Sequence, residues 1–151
     1  ILMIGTGGTI ASEMTPEGLT PELNTHQLLA YLPRIAQLCH CEFCIDITSM
    51  TLAARSGSQD KLLAVADWRS SKLFSEKERL ALAYAEAATQ TPPAVDDALR
   101  SAMAAHFDAR ALTELTALIG LQNLSARFNA AMAIPAQGLC QIPTSSSQNK
   151  E

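Results

Sequence analysis

A mainly α-helical fold is predicted by three features of this 151-residue chain. Ala and Leu dominate from Leu52 to Ala133, a composition that favours helix by intrinsic propensity. Apolar residues recur at helical spacing, as in Leu28, Leu29, Leu32, Ile35 and Leu38. Cap signals punctuate the pattern. Ser75-Glu76-Lys77-Glu78 is a capping box, and Asp108 stands before a long final helix. A chain of this length, 48% apolar, has enough material for one domain with a sizeable core.

The elements follow in order. Ile1-Leu2-Met3-Ile4 is a short branched-apolar run, read as a buried strand, and Gly5 to Thr9 is the loop it enters. Ser12 to Asn24 carries Pro16, Gly18 and Pro21 and reads as loop. Thr25 to Leu38 is helical, with Pro33 kinking it or splitting it in two. A helix from Cys41 uses Phe43, Ile45, Ile47 and Leu52 and closes at Arg55-Ser56-Gly57. Ser58 opens a short helix through Trp68, with Leu62, Leu63, Val65 and Ala66 turned inward. The helix begun at Ser75 runs to about Thr89 and is ended by Pro92-Pro93. Val95 to His106 forms another, and Asp108 caps the last, which reaches about Met132 before Ile134-Pro135 closes it. Thr144 to Glu151 is a polar tail with no means of burying itself, and is expected to be disordered. The change of character near residue 33 divides the chain into residues 1–33, a helical domain over 34–143, and the tail 144–151.

Charge excludes some partners. With a net charge of −4, a pI near 5.3 and scattered basic residues, no nucleic-acid partner is expected. No apolar run reaches the roughly 18–20 residues of a membrane span, so no membrane partner is expected either. No signal peptide is indicated. The chain starts at Ile1 rather than Met, which reads as a trimmed or partial sequence. His26 and His106 read as surface or cap residues, Trp68 and Phe74 as core, and Glu86 and Glu114 as solvated or structural.

Cysteine usage carries the chemistry. Cys39, Cys41 and Cys44 crowd together, and Cys140 stands apart as an inert or accessory thiol. Four cysteines in a core-forming chain do not make a disulfide scaffold, so a redox or metal role is preferred for the cluster. Cys-x-x-Cys at a helix start sets two sulfurs one turn apart on one face. The helix amides there favour a thiolate, which can attack a peroxide to give a sulfenic acid that the second thiol condenses to a disulfide. Three readings of the pair stay open: a redox couple, a packed dithiol without catalytic role, and a zinc site drawing on Cys39, His40, Cys41 and Cys44. Tetrahedral geometry is strained in the last, because three of its ligands are consecutive.

The segment Cys41-Glu42-Phe43-Cys44-Ile45-Asp46-Ile47 resembles the redox motif of the carboxymuconolactone decarboxylase / alkylhydroperoxidase-like family. The resemblance continues through Ala53 to Gly57, Lys61 to Ala64, Trp68 to Leu82, Tyr84 to Ala87, Phe107-Asp108, Leu112 to Ala117 and Ala126 to Asn129, in the family's order. It implies an alkylhydroperoxidase-like helical bundle preceded by a short strand and loop. It also implies a thiol peroxidase in which Cys44 meets the peroxide, Cys41 resolves it and an external thiol or dithiol reductant closes the cycle. No metal or other cofactor is implied. Family members assemble through their helices, so a homo-oligomer, trimer or hexamer, is expected. A cytoplasmic location follows from the reduced-thiol chemistry. The family's Glu twelve residues before the first Cys is Leu29 here, its His four after the second is Thr48, and Gln122 stands where relatives often carry Glu. His40 and Asp46 are the possible substitutes in the proton relay. The alternative is a helical oligomerisation domain of the same family with impaired catalysis.

Residues 1–33 resemble the amino terminus of bacterial-type L-asparaginases. The match runs from Ile1 through Gly5-Thr6-Gly7-Gly8-Thr9-Ile10-Ala11-Ser12 and again at Glu17 to Pro21. It implies Thr9 at the nucleophile position, where a glycine turn would expose its hydroxyl beside backbone amides. The second motif of those enzymes, of the His-Gly-Thr-Asp-Thr type, is missing. Asp46 to Met50 echoes their substrate-binding stretch with Ile47 in place of Ser. Asparaginase activity is therefore not expected, and a truncated non-functional fragment is the least favoured reading of the chain.

Overall fold

The computed structural model describes residues 12–15, 18–21, 25–56 and 59–140. The expected strand over Ile1–Ile4, the Gly5–Thr9 turn and the polar tail lie outside them. β1 (Ser12–Thr15) and β2 (Gly18–Pro21) pair antiparallel, with Ser12 opposite Pro21 and Thr15 opposite Gly18. This corrects the expectation of loop. Prolines and polar residues weaken a strand signal, but two short segments separated by two residues can still satisfy their backbone groups on each other.

Helices follow: α1 (Thr25–Leu38), α2 (Glu42–Ser56), α3 (Gln59–Ala64), α4 (Glu76–Thr89), α5 (Asp97–His106) and α6 (Ala109–Ala131). The fold is mainly α, as expected. α1 stays one helix across Pro33, which is buried within it. α3 is shorter than expected: it stops at Ala64, and turns carry the chain from there to Ser70. In consequence Leu63 points outward, 55% exposed, while Leu62 and Val65 are buried.

α1 lies at the centre, packed against α2, α4 and α6. Its Tyr31 and Ile35 meet Ala81, Leu82 and Ala85 of α4, Met103 of α5, Phe107, and Ala111, Leu115 and Ile119 of α6, with Val65, Trp68 and Phe74 closing the same cluster. The buried positions of α4 (Glu78, Ala81, Leu82, Ala85, Glu86, Thr89) and of α6 (Ala111, Leu115, Ile119, Gln122, Ala126, Asn129) follow the three-and-four spacing of a single helical face. Small residues on α4 let the backbones approach closely.

Caps fix the helix starts. Ser75 accepts the Glu78 amide while the Ser75 amide donates to Glu78, so the capping box is complete. Asp96 and Asp108 accept the amides of Leu99 and Ala111 in the same manner.

Buried charges bind the elements to one another. Glu86 accepts from Arg34 of α1 at 2.5 Å, from the Trp68 indole at 2.9 Å and from Arg69 at 2.5 Å. Burial alone would raise its pKa; the bonds from Arg69, Trp68 and Arg34 outweigh that and hold it below the usual carboxylate range. Lys61 does the same for Glu78, joining α3 to α4. Arg79 donates to the carbonyls of Trp68, Arg69, Ser71 and Phe74, which organises the segment before α4.

Leu82 and Leu115 have exposures of 0% and 1%. Truncating either to Ala is expected to lower the unfolding free energy by about 2–5 kcal/mol, through lost transfer energy and the cavity left behind. Urea denaturation checks this; a loss well below that range would mean that the core collapses around the gap.

Candidate redox site

The site begins with how α1 ends. His40 takes the left-handed conformation, φ 52°. With it, the His40 amide bonds the Gln37 carbonyl at 3.1 Å and the Cys41 amide bonds the Ala36 carbonyl at 3.1 Å. That pair of bonds is a Schellman ending, so the chain reverses within three residues. Cys41 then caps α2: its carbonyl accepts the Ile45 amide at 2.9 Å, and its sulfur accepts the Cys44 amide at 3.1 Å. The sulfur plays the part that a Ser or Asp oxygen plays at other helix starts.

Cys41 and Cys44 are joined as a disulfide, their Cα atoms 5.2 Å apart. Both are almost fully buried, 1% and 2% exposed. Ala36, Ile45 and Ala126 surround them, with Cys39 and Phe43 packed alongside. Asn129 of α6 donates its side-chain amide to the Cys44 sulfur at 3.4 Å, and also contacts the Ser125 hydroxyl at 3.4 Å. Each sulfur of the pair therefore has its own N–H donor, one from the backbone and one from a side chain. After reduction the same donors favour thiolates, against the cost of apolar burial.

The other expected site residues are placed as follows. His40 is exposed, in the turn just before the dithiol. Asp46 is buried on α2, but its carboxylate accepts the amides of Gln137, Leu139 and Cys140 at 2.8, 3.0 and 2.6 Å. Burial would raise its pKa; the amides of Cys140, Leu139, Gln137 and Gly138 prevail and lower it. A carboxylate so occupied is a weak proton acceptor. Thr48, at the position where the resemblance to the alkylhydroperoxidase-like family leads one to expect a His, donates its hydroxyl back to the Cys44 carbonyl at 2.6 Å. Leu29 lies on α1, Gln122 is buried on α6, and Thr9 lies outside the described residues. Among the described residues, no group of three His, Cys, Asp or Glu side chains is placed to hold a metal.

Cys39 is half-buried, its sulfur 3.7 Å from the Asn123 side-chain oxygen. Burial raises its pKa, and Arg127 beside it offsets part of that. Cys140 packs against Leu32, Leu52 and Leu62. Sequence reasoning did not assign a role to Asn129, 85 positions from Cys44. The available signal was a primary amide at the helical spacing of the buried, mainly apolar face of α6, a placement that demands a partner.

The model of the family described as asparaginase, N-terminal, matches residues 1–111. By that match, the chain belongs to the asparaginase N-terminal family. Within the matched range the described residues form the β1–β2 hairpin and helices α1 to α5, with no parallel sheet. Over 110 residues the chain is 79% identical to the uncharacterized protein YnjA of Escherichia coli (strain K12), a match covering 73% of this chain and 60% of YnjA. The chain thus spans about 60% of the length of that relative. Among solved structures, the apo debrominase Bmp8 superposes with a TM-score of 0.72 at 24% identity, covering 78% of this chain and 63% of Bmp8. ATU0492 of Agrobacterium tumefaciens, of unknown function and described as a candidate antioxidant defence protein AhpD, gives 0.70 at 22% identity, covering 76% of this chain and 79% of that one. These likenesses establish the helical fold. No helix among the described residues is long and apolar enough to cross a membrane.

The lowered carboxylates set a pH dependence. Asp46, Glu78 and Glu86 each bind their proton less readily folded than unfolded. Their stabilisation is complete above the unfolded pKa of about 4 and is lost as pH falls through the folded values. Urea midpoints should therefore be flat between about pH 5 and about pH 8 and fall steadily below that window. Glu86→Gln should be less stable at neutral pH and show a shallower acid decline, whereas a decline as steep as in the parent would remove Glu86 from this account.

Proposed function

We propose that the helical part of this chain is a thiol-dependent peroxidase of the alkylhydroperoxidase-like type, working through Cys44 and Cys41. The observation that carries this reading is the pair itself. Two sulfurs at a helix start sit within bonding reach, and each has an N–H donor. The AhpD description of ATU0492 and the peroxidase-related description of a Silicibacter protein, which superposes with a TM-score of 0.69 at 16% identity, point the same way.

In the proposed cycle the Cys44 thiolate attacks one peroxide oxygen. An S–O bond forms, the O–O bond breaks, and the departing alkoxide or hydroxide takes a proton. The Cys41 thiolate then attacks the sulfenic sulfur; the S–S bond forms, the S–O bond breaks, and the departing hydroxide takes a proton from solvent to become water. A thiol or dithiol reductant returns two electrons and two protons. No carboxylate or imidazole is hydrogen-bonded to either sulfur among the described residues, so protons are exchanged with solvent or substrate while the amides stabilise the thiolates. Burial of both sulfurs favours a small peroxide. The cycle suits a reducing compartment such as the cytoplasm.

A second reading, a helical assembly module of the same type with little catalysis, is favoured by the outer face of α6. Leu121, Leu124, Phe128 and Met132 lie along it, 49–68% exposed, in position to meet other copies of the chain.

Peroxide consumption by the reduced protein separates the two. The peroxidase should outpace an equal concentration of a simple dithiol and lose its activity in Cys44→Ser. Cys41→Ser should retain one oxidation event per chain and stop at the sulfenic acid, trappable with a dimedone probe. A parent rate no faster than that of the free dithiol would favour the assembly module.

A further inference from the structure

Cys44 and Asp46 lie two residues apart on α2, and Asn129 lies in the last turns of α6. α6 ends as α1 does. Ala133 is left-handed at φ 51°, its amide bonds the Ala130 carbonyl at 3.0 Å, and the Ile134 amide bonds the Asn129 carbonyl at 3.0 Å. The chain then continues through Pro135 and returns to α2, where Asp46 takes the amides of Gln137, Leu139 and Cys140. Residues 134–140 are thus a strap, bound at one end to the backbone of Asn129 and at the other to the carboxylate of Asp46.

Most of the strap lies on the surface. Every residue from Ile134 to Leu139 is exposed, including Ile134 at 37% and Leu139 at 43%; only Cys140 packs inward, against Leu32, Leu52 and Leu62. Burial of the side chains before Cys140 therefore contributes little, and three amide bonds to one buried carboxylate tether the segment. Charge-assisted bonds of this kind are stronger than neutral ones, and a buried carboxylate deprived of them is costly. The same tether fixes the end of α6 against α2, which is the pair of surfaces that brings the Asn129 amide to the Cys44 sulfur.

We propose that Asp46 is a positioning residue for the dithiol, latching the strap so that Asn129 stays hydrogen-bonded to Cys44. The role is mechanical: its carboxylate faces the strap, and its acceptor positions are taken by amides. The functional meaning of the latch rests on the dithiol reading above, but its test does not use peroxide. In the reduced protein, iodoacetamide labelling of each cysteine is followed against pH by mass spectrometry that resolves individual residues. Asn129→Ala should move the midpoint of the Cys44 labelling curve upward by about one pH unit, the shift expected for losing one hydrogen bond to a buried thiolate. Asp46→Asn should move it the same way. So should Leu139→Pro, which removes a strap amide and leaves the carboxylate untouched. The double variant Asp46→Asn/Asn129→Ala should shift no further than Asn129→Ala alone, because both act through one contact. The Cys41 curve, governed by a backbone amide of α2, should stay where it is. Additive shifts, equal movement of Cys41 and Cys44, or an unmoved Cys44 curve in Leu139→Pro would each overturn the proposal. An inactive parent with the expected labelling shifts would sink the peroxidase reading and leave the latch standing.

Discussion

The bond from the Cys41 amide to the Ala36 carbonyl fixes the geometry from which the site is built. It closes α1 on a left-handed His40 and starts α2 on the next residue, so that the last turn of one helix and the first turn of the other share a boundary. The first sulfur becomes the cap of α2 and the second lies one turn along, on the face that meets α6. A longer connection would let the two helices choose their own angle, and the sulfurs would lose the wall formed by Ala36 and Ala126. Holding a side-chain-bearing residue in the left-handed region costs on the order of 1–2 kcal/mol. Packing of α1 against three other helices offsets that cost.

That packing depends in turn on charges being satisfied where the apolar core ends. Glu86 has no place in a core unless its oxygens are filled, and three donors from α1 and the segment after α3 fill them. Removing any one donor leaves part of a buried carboxylate exposed to an apolar environment, which costs more than the lost bond itself. The same logic applies to Glu78 with Lys61 and to Asp46 with the strap. The bundle is therefore fastened at three buried carboxylates, each tying together segments far apart in the chain.

Much of this was legible in the sequence. Helical spacing and caps located α1, α2, α4, α5 and α6 to within about two residues, because each face repeats its apolar pattern and Ser75 and Asp108 mark two starts. The Cys41–Cys44 pair was readable as one unit, since three residues of separation at a helix start leave the sulfurs little choice. The short elements were less readable. The β1–β2 hairpin has no apolar alternation, and its order comes from backbone pairing. α3 was extended too far because Leu62, Leu63, Val65 and Ala66 look like a continuing face, while the chain in fact turns at Val65 to bring Trp68 onto Glu86. The contacts of Asp46 and Asn129 belong to no local pattern: their partners lie 91 and 85 positions away.

The departures from the relay of the alkylhydroperoxidase-like family, which the chain resembles, are consistent with one another once both N–H donors are counted. A His after the second Cys would provide a base; Thr48 at that position bonds its own helix instead and leaves the sulfur's surroundings apolar. Such surroundings penalise a thiolate, and a base alone does not remove that penalty, because the ion still has to exist in a dry site. Hydrogen-bond donors do reduce it, and the two found here, the Cys44 amide and the Asn129 side chain, carry no proton-transfer function of their own. Under the proposed peroxidase cycle, the arrangement would separate two tasks that a Glu–His relay combines: stabilising the thiolate would stay with the protein, and moving the proton would pass to water and substrate. Under the proposed latch, the stability of the Cys44 thiolate would depend on how firmly α6 is held to α2.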